Sequence, residues 1–243
     1  YGILHNTKKI LSSSSQKIIS AKLDHYFILH HYLEQWMKNS NVSHSVFYPV
    51  FFSEFNWQEI KKNSEEVWVC IPGQVELKRR DYHVLFESLQ KYELDKRIKF
   101  LLLGRCEHEY GSGAYVKKQI QELGLEENFL IWDKFISQDT FHSMIRKSDY
   151  ILPLIHQDEE SGDLYSSQIT GAYNLAVGYK KPIIIEKAYE SSFRNFEILT
   201  YKKESLIETI NSLKAIDSEK LYNQQEWTFD YQRSQYLAGL GLK

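Results

Sequence analysis

From Glu66 onward, short and wholly apolar runs alternate with segments whose apolar residues recur at helical spacing. Val67–Ile71 stops at Pro72-Gly73 and reads as a strand buried on both faces. Asp81–Tyr92 carries Val84, Leu85, Leu89 and Tyr92 on one side and reads as a helix. Further strands are predicted at Ile98–Leu103, Phe129–Trp132, Tyr150–Ile155 and Pro182–Ile185, with a weak sixth at Glu197–Thr200. Between them, helices are predicted at Tyr115–Leu123 with Gly124 as its C-terminal cap, Thr140–Arg146 with Ser137 or Asp139 as N-cap, and Ser166–Val177 ended by Gly178. Glu204–Ala215 reads as another helix, and Ser218–Leu242 as one or two more.

Six strands alternating with helices predict an α/β fold, a doubly wound parallel sheet of Rossmann-like type flanked by helices. In the common strand order, strands one and four are neighbours where the order reverses. Ligands bind there, beyond the C-terminal ends of the strands. In this chain that point lies between the loop from Pro72 to Arg80 and the loop from His156 to Ser167.

The first 55 residues have a different texture. Tyr1–Asn6 (YGILHN) looks like a strand end with its loop, Tyr26–Met37 like a helix, and Val46–Phe52 like a strand or hinge strand. The expected organisation is residues 1–55 as the remnant of an upstream domain with its hinge, 56–215 as the ligand-binding domain, and 216–243 as a terminal crossing helix. His25, His30 and His31 lack an accompanying carboxylate or cysteine cluster, so they read as helical surface histidines rather than a metal site.

Composition narrows the function classes. The net charge of -2 does not suit a general nucleic-acid binder, so the cations Lys78, Arg79 and Arg80 are a local feature. Two cysteines, Cys70 and Cys106, give neither a disulfide framework nor a metal spacing, which fits a reducing, cytoplasmic setting. No apolar run approaches the ~20 residues that span a bilayer. The chain has no Walker loop, G-x-G-x-x-G, G-x-S-x-G, H-E-x-x-H or C-x-x-C.

Lys78, Arg79 and Arg80 follow strand one and precede a helix, an arrangement that favours an anionic phosphate ligand. Gly73 turns that loop. Ser166 and Ser167 open the predicted helix after strand four. They are ordinary N-caps or, with Thr170, part of an N–H cradle facing Arg79 and Arg80. Gly171 permits close approach of a ligand or of packed backbone. Arg105, directly after strand two, adds charge at the ligand edge or is a surface arginine. Lys134 and Phe135 follow strand three, where an aromatic and apolar loop holds a nucleotide base or closes a core.

Four segments in order, IPGQVELKRRDY, LLLGR, FISQDTFHSMIRKSDYILPLI and ITGAYNLAVGYKKPIII, resemble the C-terminal, donor-binding half of GT-B glycosyltransferases of the group 1 type. The resemblance spans roughly Val46 to Leu213. YGILHN resembles the acceptor-domain strand that ends in a histidine, and Tyr222–Leu242 resembles the helix that crosses back to that domain. The resemblance implies a nucleotide-sugar donor and transfer of its sugar to a glycan or lipid-linked acceptor. It implies leaving-diphosphate stabilisation by Lys78, Arg79 or Arg80, donor contacts from Gly73, Arg105, Lys134, Phe135, Tyr165, Ser166, Ser167 and Thr170, and no required metal or cofactor. It further implies a cytoplasmic enzyme, peripherally associated with the membrane face through the missing domain. With most of the acceptor half absent, this stretch alone is expected to lack transfer activity.

Two departures stand out. Anchored on Gly178, Tyr165 and Tyr173 occupy the places of the family's paired glutamates, and Gln74 stands where many members carry an arginine. Diphosphate charge is still compensated, but sugar contacts through the glutamates are lost, and retention or inversion stays open. An alternative reading is a catalytically degenerate binding or scaffold module. A flavodoxin-like signalling domain is a third, disfavoured by the lack of an acidic cluster after strand one.

Overall fold

The computed structural model describes residues 1–38, 40–52, 54–107 and 112–242. Two parallel sheets organise it. The smaller joins β1 (Gly2–Leu4), β2 (Tyr26–Ile28) and β3 (His44–Val46) in that order, with α1 (Lys9–Ser12), α2 (Ser14–Ser20) and α3 (Glu34–Met37) in its connections. The larger contains β4 (Val67–Pro72), β5 (Ile98–Arg105), β6 (Phe129–Trp132), β7 (Tyr150–Ile151), β8 (Ile183–Glu186) and β9 (Ile198–Tyr201). Its connecting helices are α4 (Tyr82–Leu89), α5 (Gly113–Glu122), α6 (Gln138–Lys147), α7 (Glu160–Tyr165), α8 (Gly171–Gly178) and α9 (Leu206–Asn211), followed by the terminal α10 (Phe229–Gly239). The strand order β6-β5-β4-β7-β8-β9 is the doubly wound one, and the reversal falls between β4 and β7 as expected.

Two cores cover the faces of the large sheet, and strand alternation assigns residues to them. Val67, Val69 and Ile71 join Phe100 and Leu102 on the face covered by α4, α5 and α9. Trp68 and Cys70 join Leu101 and Leu103 on the face covered by α6 and α8. Burial raises the thiol pKa of Cys70, which behaves as a small apolar residue.

Several sequence expectations need correction. The run Tyr150–Ile155 forms a ladder only over Tyr150–Ile151, because Pro153 lacks an N–H and Leu154 turns with φ 53°. The expected helix Tyr26–Met37 begins instead as β2, with a 3₁₀ turn at His31–Leu33 and a helix only from Glu34. The three histidines do not share a helical surface. His25 bonds Ser43 and Ser45, His30 is buried, and His31 pairs with Glu34.

The terminal helix does reach the N-terminal sheet, through strand residues. Tyr236 lies against Phe27 with ring centroids 4.6 Å apart, and a Cβ at Gly239 would come within 2.5 Å of the Phe27 ring. Buried Gln232 accepts from the Tyr48 N–H at 2.9 Å. Leu33 and Trp36, which follow β2, turn elsewhere. Leu33 packs with Leu4, Ile10 and Ile28, and the Trp36 indole donates to the Ser166 carbonyl at 2.8 Å. No helix among the described residues is long and apolar enough to cross a membrane.

Candidate functional site

The cationic loop follows β4 because Pro72-Gly73 ends the ladder. Gly73 adopts φ 104°, a conformation that side chains disfavour. Gly104, at the end of β5, lets the neighbouring loop cross closely: a Cβ there would lie 2.1 Å from the Gly73 carbonyl oxygen. The chain then returns through Lys78-Arg79-Arg80 to α4.

The three cations meet different fates. Lys78 is exposed, with Glu160 4.0 Å away. Arg79 is half-exposed and its Nε donates to Glu76 at 3.0 Å. Arg80 is 5% exposed. Its Nη2 donates to the Pro72 carbonyl at 2.8 Å and the Thr170 hydroxyl at 3.3 Å, and its Nη1 to the Arg79 carbonyl at 2.6 Å and the Tyr165 hydroxyl at 3.2 Å. The guanidinium also lies over the Tyr165 ring, 5.6 Å from its centroid. All four acceptors are neutral. Among the described residues no carboxylate pairs with it, and its Nε has no partner. A buried charge without a counter-ion is costly, and an anion nearby repays that cost.

A buried network fixes the start of α4 behind Arg80. Asp81 Oδ2 accepts from the His156 N–H and Nδ1, both at 2.8 Å, and from the Ser161 hydroxyl at 2.5 Å. His156 Nε2 meets the Tyr201 hydroxyl at 2.9 Å, and the Asp81 N–H donates to the Leu154 carbonyl at 2.9 Å. The loops after β4 and β7 are thereby tied to β9. Sequence reasoning missed this network. Its available signal was a lone histidine closing the apolar run LPLI.

Thr170, not Ser166, caps the helix facing Arg80. Its hydroxyl accepts from the Ala172 N–H at 3.4 Å while receiving from Arg80. The helix predicted from Ser166 therefore starts only at Gly171 as α8, and Ser166–Thr170 links it to α7. Ser166 is the C-cap of α7, its hydroxyl donating to the Asp163 carbonyl at 2.8 Å. The Ser167 carbonyl is taken by Thr7, through its N–H at 2.8 Å and its hydroxyl at 3.0 Å. Tyr32 donates to the Gln168 carbonyl at 2.5 Å. These bonds hold Ser166–Gln168 against the small sheet, so neither serine caps a helix beside Arg80.

A cleft of about 590 Å³ opens over this assembly, lined by Gly73, Arg79, Arg80, Tyr165, Thr170 and Gly171, among others. A Cβ at Gly171 would meet nothing within 4 Å, so the first turn of α8 borders open space. His5, just past β1, lines the same cleft from the small sheet. A second hollow of about 430 Å³ shares Gly73, Gln74 and Phe141 with it and continues past Arg105 to Phe135. Phe135 is 76% exposed, so the core reading of that residue is wrong. Lys134 is also exposed and does not line either hollow. Tyr173 is buried beside Phe193, with ring centroids 4.5 Å apart, and burial drives its hydroxyl pKa strongly upward. Among the described residues no cluster of three His, Cys, Asp or Glu side chains is placed to hold a metal.

No protein-family model and no curated protein sequence matches the chain. Solved structures do. The apo lipopolysaccharide outer core galactosyltransferase WaaB superposes with a TM-score of 0.57 at 12% identity, covering 95% of this chain and 65% of that one. Sucrose-phosphate synthase from Thermosynechococcus elongatus gives 0.54 at 11% identity, covering 99% and 62%. A mutant of S. aureus TarM, solved with fondaparinux, α-GlcNAc-glycerol and UDP, gives 0.54 at 14% identity, covering 97% and 46%. The chain thus has a GT-B glycosyltransferase-like fold and spans between 46% and 65% of the length of these three structures.

Proposed function

We propose that this chain is the donor-binding part of a glycosyltransferase that takes a nucleotide-sugar and passes its sugar to a glycan or lipid-linked acceptor. The observation that carries the reading is the Arg80 guanidinium, buried against four neutral oxygens, without a carboxylate among the described residues, beside an open cleft. A donor diphosphate lies between Arg80 and the first turn of α8, with Arg79 adding charge from the rim. Fixed cations and helix N–H groups stabilise negative charge as it builds on the leaving diphosphate, which is electrostatic catalysis. The hollow between Arg105 and Phe135 takes the base. TarM, of the same fold, is solved with UDP, which supports the ligand class.

A second reading, a donor-binding module without turnover, is favoured by one observation. The positions expected to carry sugar-binding glutamates hold Tyr165 and Tyr173, both buried and neither a carboxylate. Thermal shifts with UDP, GDP, ADP and CMP test the shared premise. A nucleotide present at a hundred times its Kd stabilises by about 2.7 kcal/mol. One diphosphate is expected to raise the melting temperature well above the others, and no shift with any of them contradicts both readings. Donor hydrolysis then separates enzyme from module.

A further inference from the structure

At the opposite edge of the six-stranded sheet, where its strands begin, lies a larger cleft of about 870 Å³. It is bordered by the segment 57–64, the C-terminal end of α6 and the start of β8. The segment is anchored there by the Gln58 N–H to the Ser143 hydroxyl at 2.9 Å and by Lys62 to Asp149 at 2.5 Å. Five cations line the cleft: Lys61, Lys62, Arg146, Lys147 and Lys181. The carboxylates lining it are Glu59 and Asp149. Asp149 is already committed, because the same oxygen that meets Lys62 accepts from the Trp68 N–H at 2.7 Å. Setting that pair aside leaves four cations facing one carboxylate.

Helix α6 accounts for part of this charge, since Arg146 and Lys147 complement the carbonyls of its last turn. It does not account for Lys181, which precedes β8 and is 6% exposed. The Lys181 ammonium donates to the Ser218 hydroxyl at 3.2 Å, and among the described residues no carboxylate lies within ion-pair distance of it. Desolvation, reinforced by Lys62, Arg146 and Lys147 and opposed by Asp149, brings its pKa down to about 8. The crowding of positive charge around a half-satisfied buried amine is the condition that a bound oxyanion relieves.

We propose that this cleft is a second anion site, separate from the Arg80 cleft, that takes a phosphate or diphosphate group through Lys181, Arg146 and Lys147. A small phosphate ester and a phosphorylated polymer present the same oxyanion, and the site recognises that group.

Calorimetric titration of the full chain with inorganic pyrophosphate tests the proposal. Three variants are compared with the wild type: Lys181→Met, the exposed pair Arg146→Ala with Lys147→Ala, and Thr170→Val at the other edge. The expected result is saturable binding that weakens at least tenfold in the first two and survives in Thr170→Val. The exposed pair keeps the test decisive if Lys181→Met fails to fold. Unchanged affinity in the folded variants among the first two overturns the proposal, as does wild-type binding that does not saturate below about 10 mM. Failure of the donor reading would appear separately, as an absence of any site sensitive to Thr170→Val. Long-chain polyphosphate gives the source: affinity per phosphate equal to that of pyrophosphate supports a small-ligand site, and a tenfold gain supports a polymer site.

Discussion

At the C-terminal edge of the large sheet Arg80 is 5% exposed, and at the opposite edge Lys181 is 6% exposed. Each is a buried cation with neutral acceptors. They differ in how the charge is kept. The Arg80 fork spreads over four oxygens from two stretches of chain, one after β4 and one after β7, and a guanidinium stays protonated at any ordinary pH. The Lys181 ammonium has one hydroxyl partner and a pKa brought down to about 8 by burial and its cationic neighbours. A fixed, pre-organised charge suits a site that must meet a developing anion without rearranging. A titratable one makes its edge of the molecule sensitive to pH.

The largest expected effect is at Arg80. Arg80→Lys keeps a charge but loses the fork, and charge-assisted bonds are worth about 1.5–3 kcal/mol. Affinity for the best nucleoside diphosphate should fall ten- to a hundredfold by calorimetry while the circular dichroism spectrum is kept. Equal affinity would erase the contrast between the two edges.

Next comes the pH dependence of Lys181. Below about pH 8 the amine is charged in both native and unfolded states, and the burial penalty is fully present. Above it the native state sheds a proton that the unfolded state still holds, so stability rises with pH until the ordinary lysine range is reached. Buried Cys70 and Tyr173, whose pKa values burial raises, act in the opposite direction, so the share of Lys181 is read as a difference between wild type and Lys181→Met in urea unfolding at pH 8 and pH 10. On going to pH 10 the wild type should gain relative to Lys181→Met by up to about 3 kcal/mol. A parallel pH profile in the variant would contradict the account.

Thr170→Val removes the N-cap of α8 and one acceptor of Arg80. Nucleotide affinity should drop several-fold and stability by about 1 kcal/mol, read from melting curves. The smallest effect belongs to Arg79→Ala. That side chain is half-exposed and paired with Glu76, so the affinity loss should be under about 1 kcal/mol. If Arg79→Ala outweighs Arg80→Lys, the rim and not the buried fork carries the anion.

The large sheet was legible because its long strands are continuous apolar runs bounded by Gly or Pro, and because strand order follows from β/α alternation. The sequence did not distinguish Lys78, Arg79 and Arg80. Their sequence is a solvated run, and only the return of the chain to Pro72, Tyr165 and Thr170 draws Arg80 inside. The helix expected from Ser166 failed for a related reason. Thr7, Tyr32 and Trp36 occupy the carbonyls of Ser166–Gln168, and these partners lie more than a hundred residues away in sequence. Tyr26–Ile28 was misread because YFIL, Leu33 and Met37 also fit a helical stripe. A three-residue strand between two parallel neighbours leaves no alternation to detect.

Calorimetric titration of UDP, GDP, ADP and CMP into the wild type and into Arg80→Lys tests the central claim most directly. At least one of them should bind the wild type at a saturable site that is weakened at least tenfold in the variant. No saturable binding to the wild type, or the same affinity in a folded Arg80→Lys, would contradict it.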